Sequence, residues 1–471
     1  VLTILKNFTE KEWSDFKIFL KSAFFRISKS TQILFQEIEK SRPKFDFKHV
    51  KVYSKLYPKE TFDSNKFRHQ MHLLKKAIEQ FLIQMELKNQ SYIQDQLLVH
   101  GYNRLALFSF FQKKIEILNK QLEEEPLQDE FYFAHKFWLN DALFFHPSTL
   151  KTDNNIKSLC QTVKSLNNLV THTQLRLGIE TLTREQSINE HFEMPFLEVT
   201  KELASNSSNP VFRLYLQLFE LIELEDYDLT LFESIRNQFE EHKLSISHRE
   251  QALIHNLLVN YIARMANSGF SGNLSTLLKL YDYGVNNGYY TICGVMEDQI
   301  FVNIIITALL NKNYGYAERF KVNNSKLLKS DSKEETLQFA SANISFYKKD
   351  FSQAYHLLYQ MSIYSTRYKL QIRTLEIKCA IERLILKDYD KESTLKIIDK
   401  NRVYFRRNIS LSNPKKDLYI NFPKVTKQLV KVIDTRKYRQ AKELEKLIKL
   451  TNEHKTVSSS WLKQKIKELQ E

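Results

Sequence analysis

From Lys333 to Met361 the chain reads KEETLQFASANISFYKKDFSQAYHLLYQM. Leu337, Ala340, Ile344 and Tyr347 recur at steps of three and four, which places them on one face of a helix. Lys348, Lys349 and Asp350 break that face, and Phe351 opens a second helix with Ala354, Leu357, Leu358 and Met361 on its inner side. A pair of helices this short cannot bury its apolar faces alone and needs other pairs packed against it. The rest of the chain is consistent with that demand. It has 471 residues but only 8 Gly and 8 Pro, so the tight turns of sandwiches, barrels and doubly wound sheets are short of material. The expectation is an all-α chain, an extended α-solenoid of stacked helix–turn–helix pairs preceded by a small N-terminal helical domain.

Three segments are predicted. Residues 1–88 form a basic helical module, in which Thr9 and Glu12 fit a capping box ahead of Trp13, Phe16, Phe19 and Leu20. A helix near 31–39 follows, and then one capped by Asp46 with Val50, Tyr53 and Leu56 inward. In a long fourth helix Phe67, Met71, Leu74, Ile78, Phe81 and Met85 step 4, 3, 4, 3, 4. Residues 89–330 read as an irregular run of helices, mildly acidic. Six of the eight glycines fall between 269 and 315, so irregular connections are expected there. Residues 331–471 carry the clearest pairs and are strongly basic, with 30 Lys and Arg against 17 Asp and Glu.

The turn and second helix of those pairs share a pattern. It reads Lys312-Asn313-Tyr314-Gly315-Tyr316-Ala317, then Lys349-Asp350-Phe351-Ser352-Gln353-Ala354, then Arg436-Lys437-Tyr438-Arg439-Gln440-Ala441. Lys387-Asp388-Tyr389 keeps the aromatic residue and has Glu392 in place of the alanine. Tyr314, Phe351 and Tyr389 are 37 and 38 residues apart. The pattern resembles the Gly-x-Tyr/Phe-x-x-Ala of tetratricopeptide repeats, in which the aromatic ring plugs the gap between two helices and the alanine lets them approach. The first-position Gly is absent at every copy. The resemblance implies a helical-repeat fold and carries over no functional residue.

No phosphate loop, nucleophile elbow or zinc-knuckle spacing occurs, so no enzyme, cofactor or metal is expected. His69 and His72 share a helix face without a carboxylate or Cys at ligand spacing. His242, His248 and His255, with Glu250 nearby, are expected to face solvent, and Cys160, Cys293 and Cys379 to lie in the core in a reducing compartment. The longest apolar run, 300–310, is interrupted by Asn303 and falls short of the ~20 residues a membrane span needs. A cytoplasmic location is the expectation.

The best functional candidate lies between Lys400 and Lys424. There Lys400, Arg402, Arg406, Arg407, Lys415 and Lys416 alternate with Tyr404, Phe405, Tyr419 and Phe422. Cations neutralise phosphate and exposed rings stack on unpaired bases, which suits RNA. Arginine forks also match carboxylates, which suits an acidic peptide. If the rings pack inward instead, the charges are only solvated. A second basic face comprises Arg68, His72, Lys75 and Lys76 on the long fourth helix. Two functional readings follow. One is a non-enzymatic scaffold that holds a protein or peptide on the concave face of the repeats. The other is an RNA- or ribosome-associated protein using the basic terminal segments.

Overall fold

The computed structural model describes residues 1–147, 155–185, 191–224, 226–267, 273–364, 367–408, 413–435 and 437–470. The protein is all-α. Among the described residues the only strands are Thr291–Ile292 (β1) and Val295–Met296 (β2), paired antiparallel. Cys293 and Gly294 both have positive φ, as a two-residue type I′ hairpin turn requires. The hairpin falls in the glycine-rich stretch, where irregular connections are expected. No helix among the described residues is long and apolar enough to cross a membrane. The chain forms two compact units, Val1–Gln121 with Phe145–Thr152, and Leu122–Phe144 with Asp153–Glu471.

The first unit contains α1 (Leu2–Leu5), α2 (Glu10–Leu20), α3 (Lys29–Lys40), α4 (His49–Leu56), α5 (Ser64–Asn89), α6 (Ser91–Arg104) and most of α7 (Phe108–Glu124). The capping box of α2 is present. The Glu12 amide donates to Thr9 Oγ1 at 3.2 Å and the Thr9 amide to Glu12 Oε2 at 2.7 Å. Behind it the core is aromatic. Trp13 stacks on Phe35 at 5.1 Å, and Phe16 meets Phe35 edge-on at 4.9 Å and Phe81 at 5.1 Å. The start of α4 differs from expectation. Its N-cap is Lys48, without a side-chain bond, and Asp46 does not cap it. The buried stripe of α4 is centred on Val52, Tyr53 and Leu56, which leaves Val50 exposed on the flank. The buried amide of Gln70 ties α5 to α3 by donating to Thr31 Oγ1 at 2.8 Å, and it accepts from Tyr57 Oη at 3.1 Å.

The second unit runs through α8 (Glu130–Phe144), α9 (Asn155–Glu185), α10 (Leu197–Ser205), α11 (Pro210–Glu223), α12 (Leu229–Glu241), α13 (His248–Asn267), α14 (Leu274–Asn286) and α15 (Asp298–Leu310). It continues with α16 (Tyr314–Asn324), α17 (Lys333–Tyr347), α18 (Phe351–Tyr364), α19 (Lys369–Ile385), α20 (Lys391–Asn408), α21 (Asn413–Asp434), α22 (Lys437–Glu453) and α23 (Ser459–Gln470). Packing is chiefly between neighbours in sequence or next-but-one, as in α15 on α17, α17 on α18 and α19 on α21.

Helix α17 has two apolar faces, where its sequence pattern indicates one. Ala340 and Ile344 belong to a core built from α8 through α17, with Leu337 and Tyr347 packed against it. Phe339, Ala342 and Phe346 belong to a second core that continues to α23. Helix α15 is divided in the same way, with Phe301, Ile304 and Ile305 on one side and Val302 on the other.

Three turns close with the same geometry. Lys312, Lys349 and Lys387 have φ of 58°, 69° and 60°. In each, the lysine amide donates to the carbonyl three residues back (Leu309, Phe346, Leu384), and the next amide donates to the carbonyl five back (Ala308, Ser345, Arg383). This is the Schellman closure, normally made by Gly at the left-handed position. The same closure ends α6 at Ala106 and α14 at Gly288. The lysines therefore hold the left-handed backbone conformation that glycine usually takes in this closure. Ala317 and Ala354 are fully buried behind the first two turns, and Phe351 packs edge-on against Phe346 at 5.3 Å. The side chain of Tyr438 lies outside the described residues.

Candidate functional site

Helix α20 begins where Asp390 accepts the Ser393 amide at 2.8 Å, and it sorts the charge–aromatic alternation into stripes. Thr394, Ile398, Asn401 and Phe405, spaced 4, 3 and 4, are fully buried. Lys400, Tyr404 and Arg407 fall on one flank of that stripe; Arg402 and Arg406 fall on the other, with Asp399. Lys400, Arg406 and Arg407 are exposed, and Arg402 is half-buried and pairs with Asp399 at 3.4 Å. Asp399 also accepts from Lys427 of α21 at 2.8 Å. Tyr404 is half-buried with the Arg373 guanidinium over its ring at 5.1 Å. Lys416 is half-buried in the first turns of α21, and the side chain of Lys415 lies outside the described residues.

The rings do not serve as an exposed stacking surface. Phe405 and Phe422 are fully buried, and Tyr419 rests against Phe405 at 5.5 Å. The cause is spacing: Phe405 continues the buried stripe of α20, and Phe422 stands four and seven residues ahead of the buried Thr426 and Leu429 of α21. What remains outside is mostly cationic, beside exposed Val403 and Asp417, with Arg406 and Arg407 in the last turn of α20, where cations favour the helix dipole. Beneath it Asn401 Nδ2 donates to Glu376 Oε2 at 3.3 Å, and Arg373 pairs with Glu376 at 3.3 Å. Burial pushes the Glu376 carboxyl above its usual range, against the opposing charges of Arg373 and Lys400.

Arg68, His72, Lys75 and Lys76 are all exposed on α5, and Lys75 pairs with Glu79 at 3.1 Å. Among the described residues no group of three His, Cys, Asp or Glu side chains could hold a metal ion.

Several ionisable groups lie where the sequence does not place them. Glu250 and His255 are buried, not surface residues. Ser247 and Glu250 form the start of α13, with Ser247 Oγ donating to Glu250 Oε2 at 3.1 Å. Fully buried His172 of α9 stands 2.9 Å from Glu250 Oε1. Burial opposes the charge on Glu250, but His172, Ser247 and Arg176 together hold its carboxyl below the usual range. His255 shares a hydrogen bond with Tyr290 Oη at 2.9 Å, and burial pushes its imidazole down to about 4. Of the cysteines only Cys379 is buried; Cys160 and Cys293 are exposed, the latter in the hairpin turn. On α19, Glu376, Lys378 and Glu382 are all buried, because α18, α20, α21 and α23 surround that helix. Glu382 accepts from Trp461 Nε1 at 2.7 Å and pairs with Lys465 at 2.9 Å. The spacing Ser247-x-x-Glu250 is a legible capping signal. The partners of Glu382 are about 80 residues away, and no local pattern marks them.

No family model matches the chain, and no curated protein or solved structure matches it.

Proposed function

We propose that this protein is a non-enzymatic scaffold of tetratricopeptide-like helical repeats, an α-solenoid whose concave face holds an acidic protein segment. The observation that carries the reading is the lysine-closed turn repeated at 312, 349 and 387, joined to helices α15 and α17 that bury apolar residues on both sides. Helices sandwiched in this way are the units from which repeat arrays build long binding surfaces. The cationic outer stripes of α20, with Lys416 nearby, favour a carboxylate-rich segment, since arginine forks pair bidentately with carboxylates.

RNA is the second reading, motivated by the excess of Lys and Arg in residues 331–471. The inward packing of Phe405 and Phe422 weighs against recognition by base stacking and leaves only backbone neutralisation.

Fluorescence anisotropy with a glutamate-rich peptide and with mixed-sequence single-stranded RNA tests both. The peptide is expected to bind, and the variant with Arg402, Arg406 and Arg407 changed to Glu to lose at least about tenfold in affinity, roughly 1.4 kcal/mol. Tighter binding of RNA, with an affinity that falls steeply with salt as counterions are released, would instead support the RNA reading. Unchanged affinity in the triple variant removes this surface from either role.

A further inference from the structure

The second unit contains a cavity of about 190 Å³ between α15, α17, α19, α21 and the segment preceding α23. Its polar lining is Asn343, Gln371, Thr374, Lys378, Tyr419 and Ser458, and aliphatic and aromatic side chains complete the wall. Lys378 is 7% exposed. Its ammonium lies 4.6 Å from the centre of the Phe346 ring and 5.6 Å from those of Tyr347 and Trp461. Tyr347 also lines the cavity, beside Lys378. Among the described residues Lys378 makes no hydrogen bond or ion pair, and neither do the side chains of Gln371, Tyr419 and Ser458.

A buried ammonium is stable only when paired or when it gives up its proton. Contacts with ring faces recover only part of the lost hydration. The nearest carboxylate on the same helix, Glu382, is already engaged by Lys465 and Trp461. One positive charge and three further hydrogen-bonding groups are thus gathered at one cavity. A cavity of this size is below the ~300–1,000 Å³ of sites for drug-sized ligands. A single ammonium, with no Arg beside it in the lining, matches a monoanion better than a dianion.

We infer that this cavity binds a small monocarboxylate, its carboxylate on Lys378 with Gln371, Tyr419 and Ser458 as hydrogen-bonding partners, and its carbon chain against the apolar wall. The site is independent of the scaffold surface on α20. Burial pushes the Lys378 ammonium down to about 8, with Lys465 adding to the effect and Cys379 and Glu382 opposing it. Tyr347 and Tyr419, which also face the cavity, are both pushed up by burial and stay neutral through this range. Affinity is therefore expected to fall as pH rises through about 8 and the ammonium is lost.

The test is calorimetric titration of the full chain with acetate, propionate and butyrate at constant ionic strength, with chloride and inorganic phosphate as comparison anions. Saturable binding of at least one acid is expected. Lys378→Met, which keeps most of the length of the side chain and removes the charge, is expected to weaken it at least tenfold. Tyr419→Phe removes one hydroxyl, is expected to weaken it severalfold, and serves if the first variant fails to fold. The inference is overturned if no acid saturates, if phosphate binds in preference, or if the variants that fold bind as the wild type does.

Discussion

The core of the first unit and the surroundings of α19 bury side chains by opposite rules. Around Trp13, Phe16, Phe35 and Phe81 the interior is ring against ring, and the polar groups admitted are the mutually satisfied Gln70 and Thr31. Around α19 the interior holds Glu376, Lys378, Glu382 and Lys465 beside equally buried Ile377, Cys379 and Ile381. The first arrangement derives its stability from apolar area and shape. In the second, Glu382 and Lys465 depend on each other across two helices, and removing one strands the other, while Lys378 rests only against ring faces. The difference follows from position. Helix α2 has an outer side on which Lys11, Asp15 and Lys17 meet solvent, whereas α19 is enclosed and exposes little of its surface.

The sharpest contrast should come from deleting one member of each core. Phe16→Ala is expected to cost about 3–5 kcal/mol through the lost ring contacts and the cavity left behind. Glu382→Leu is expected to cost a similar ~3–5 kcal/mol, for the different reason that Lys465 is left without its buried partner. Adding Lys465→Met should recover most of that loss, whereas no second substitution at a distance rescues Phe16→Ala. Denaturant unfolding monitored separately in each unit distinguishes these outcomes; additive losses at Glu382 and Lys465 would show that the pair is not coupled.

Acid should also act on the core around α13 in the second unit. The His255 imidazole is held at about 4 by burial, against an ordinary 6.5, so the unfolded chain takes up a proton there that the folded chain refuses. That contribution to stability is complete above pH 6.5 and lost as pH falls toward 4, in all about 3 kcal/mol. The depressed carboxyl of Glu250 is likewise lost on acidification. The second unit should therefore soften between pH 6.5 and 4, as read by amide hydrogen exchange. His255→Phe should flatten that dependence.

The smallest effects come from the turns and caps. Lys349→Gly should stabilise the chain by about 1 kcal/mol, because a residue with a Cβ at φ 69° carries strain that glycine does not. Thr9→Ala in the first unit should destabilise by about 1 kcal/mol through loss of the capping box. Thermal denaturation of the two variants resolves the opposite signs. A destabilised Lys349→Gly would mean that the lysine side chain contributes more than its backbone strain removes.

Many local signals were legible, though the expected Asp46 cap of α4 was not one of them. The Thr9 capping box, the buried stripe of α5 and the breaks between helices all follow from interactions within four or five residues, and scarce Gly and Pro left little besides helix to build. The candidate surface was half legible. The cations of α20 could be named from their alternation with rings, but alternation says nothing about which member faces inward, and Phe405 and Phe422 turned in.

What only the tertiary structure decided is which helices are enclosed. Periodicity records one apolar face and is silent on a second, so α17 looked single-faced and nothing in the pattern marks the charges of α19 as buried. Their burial depends on residues as far away as Lys465, 83 positions from Glu382, and on rings from α17 and α23 closing over Lys378. Local sequence sets the helix; the neighbours that pack on it set the dielectric in which its charges must live, and that environment exists only once the chain has folded.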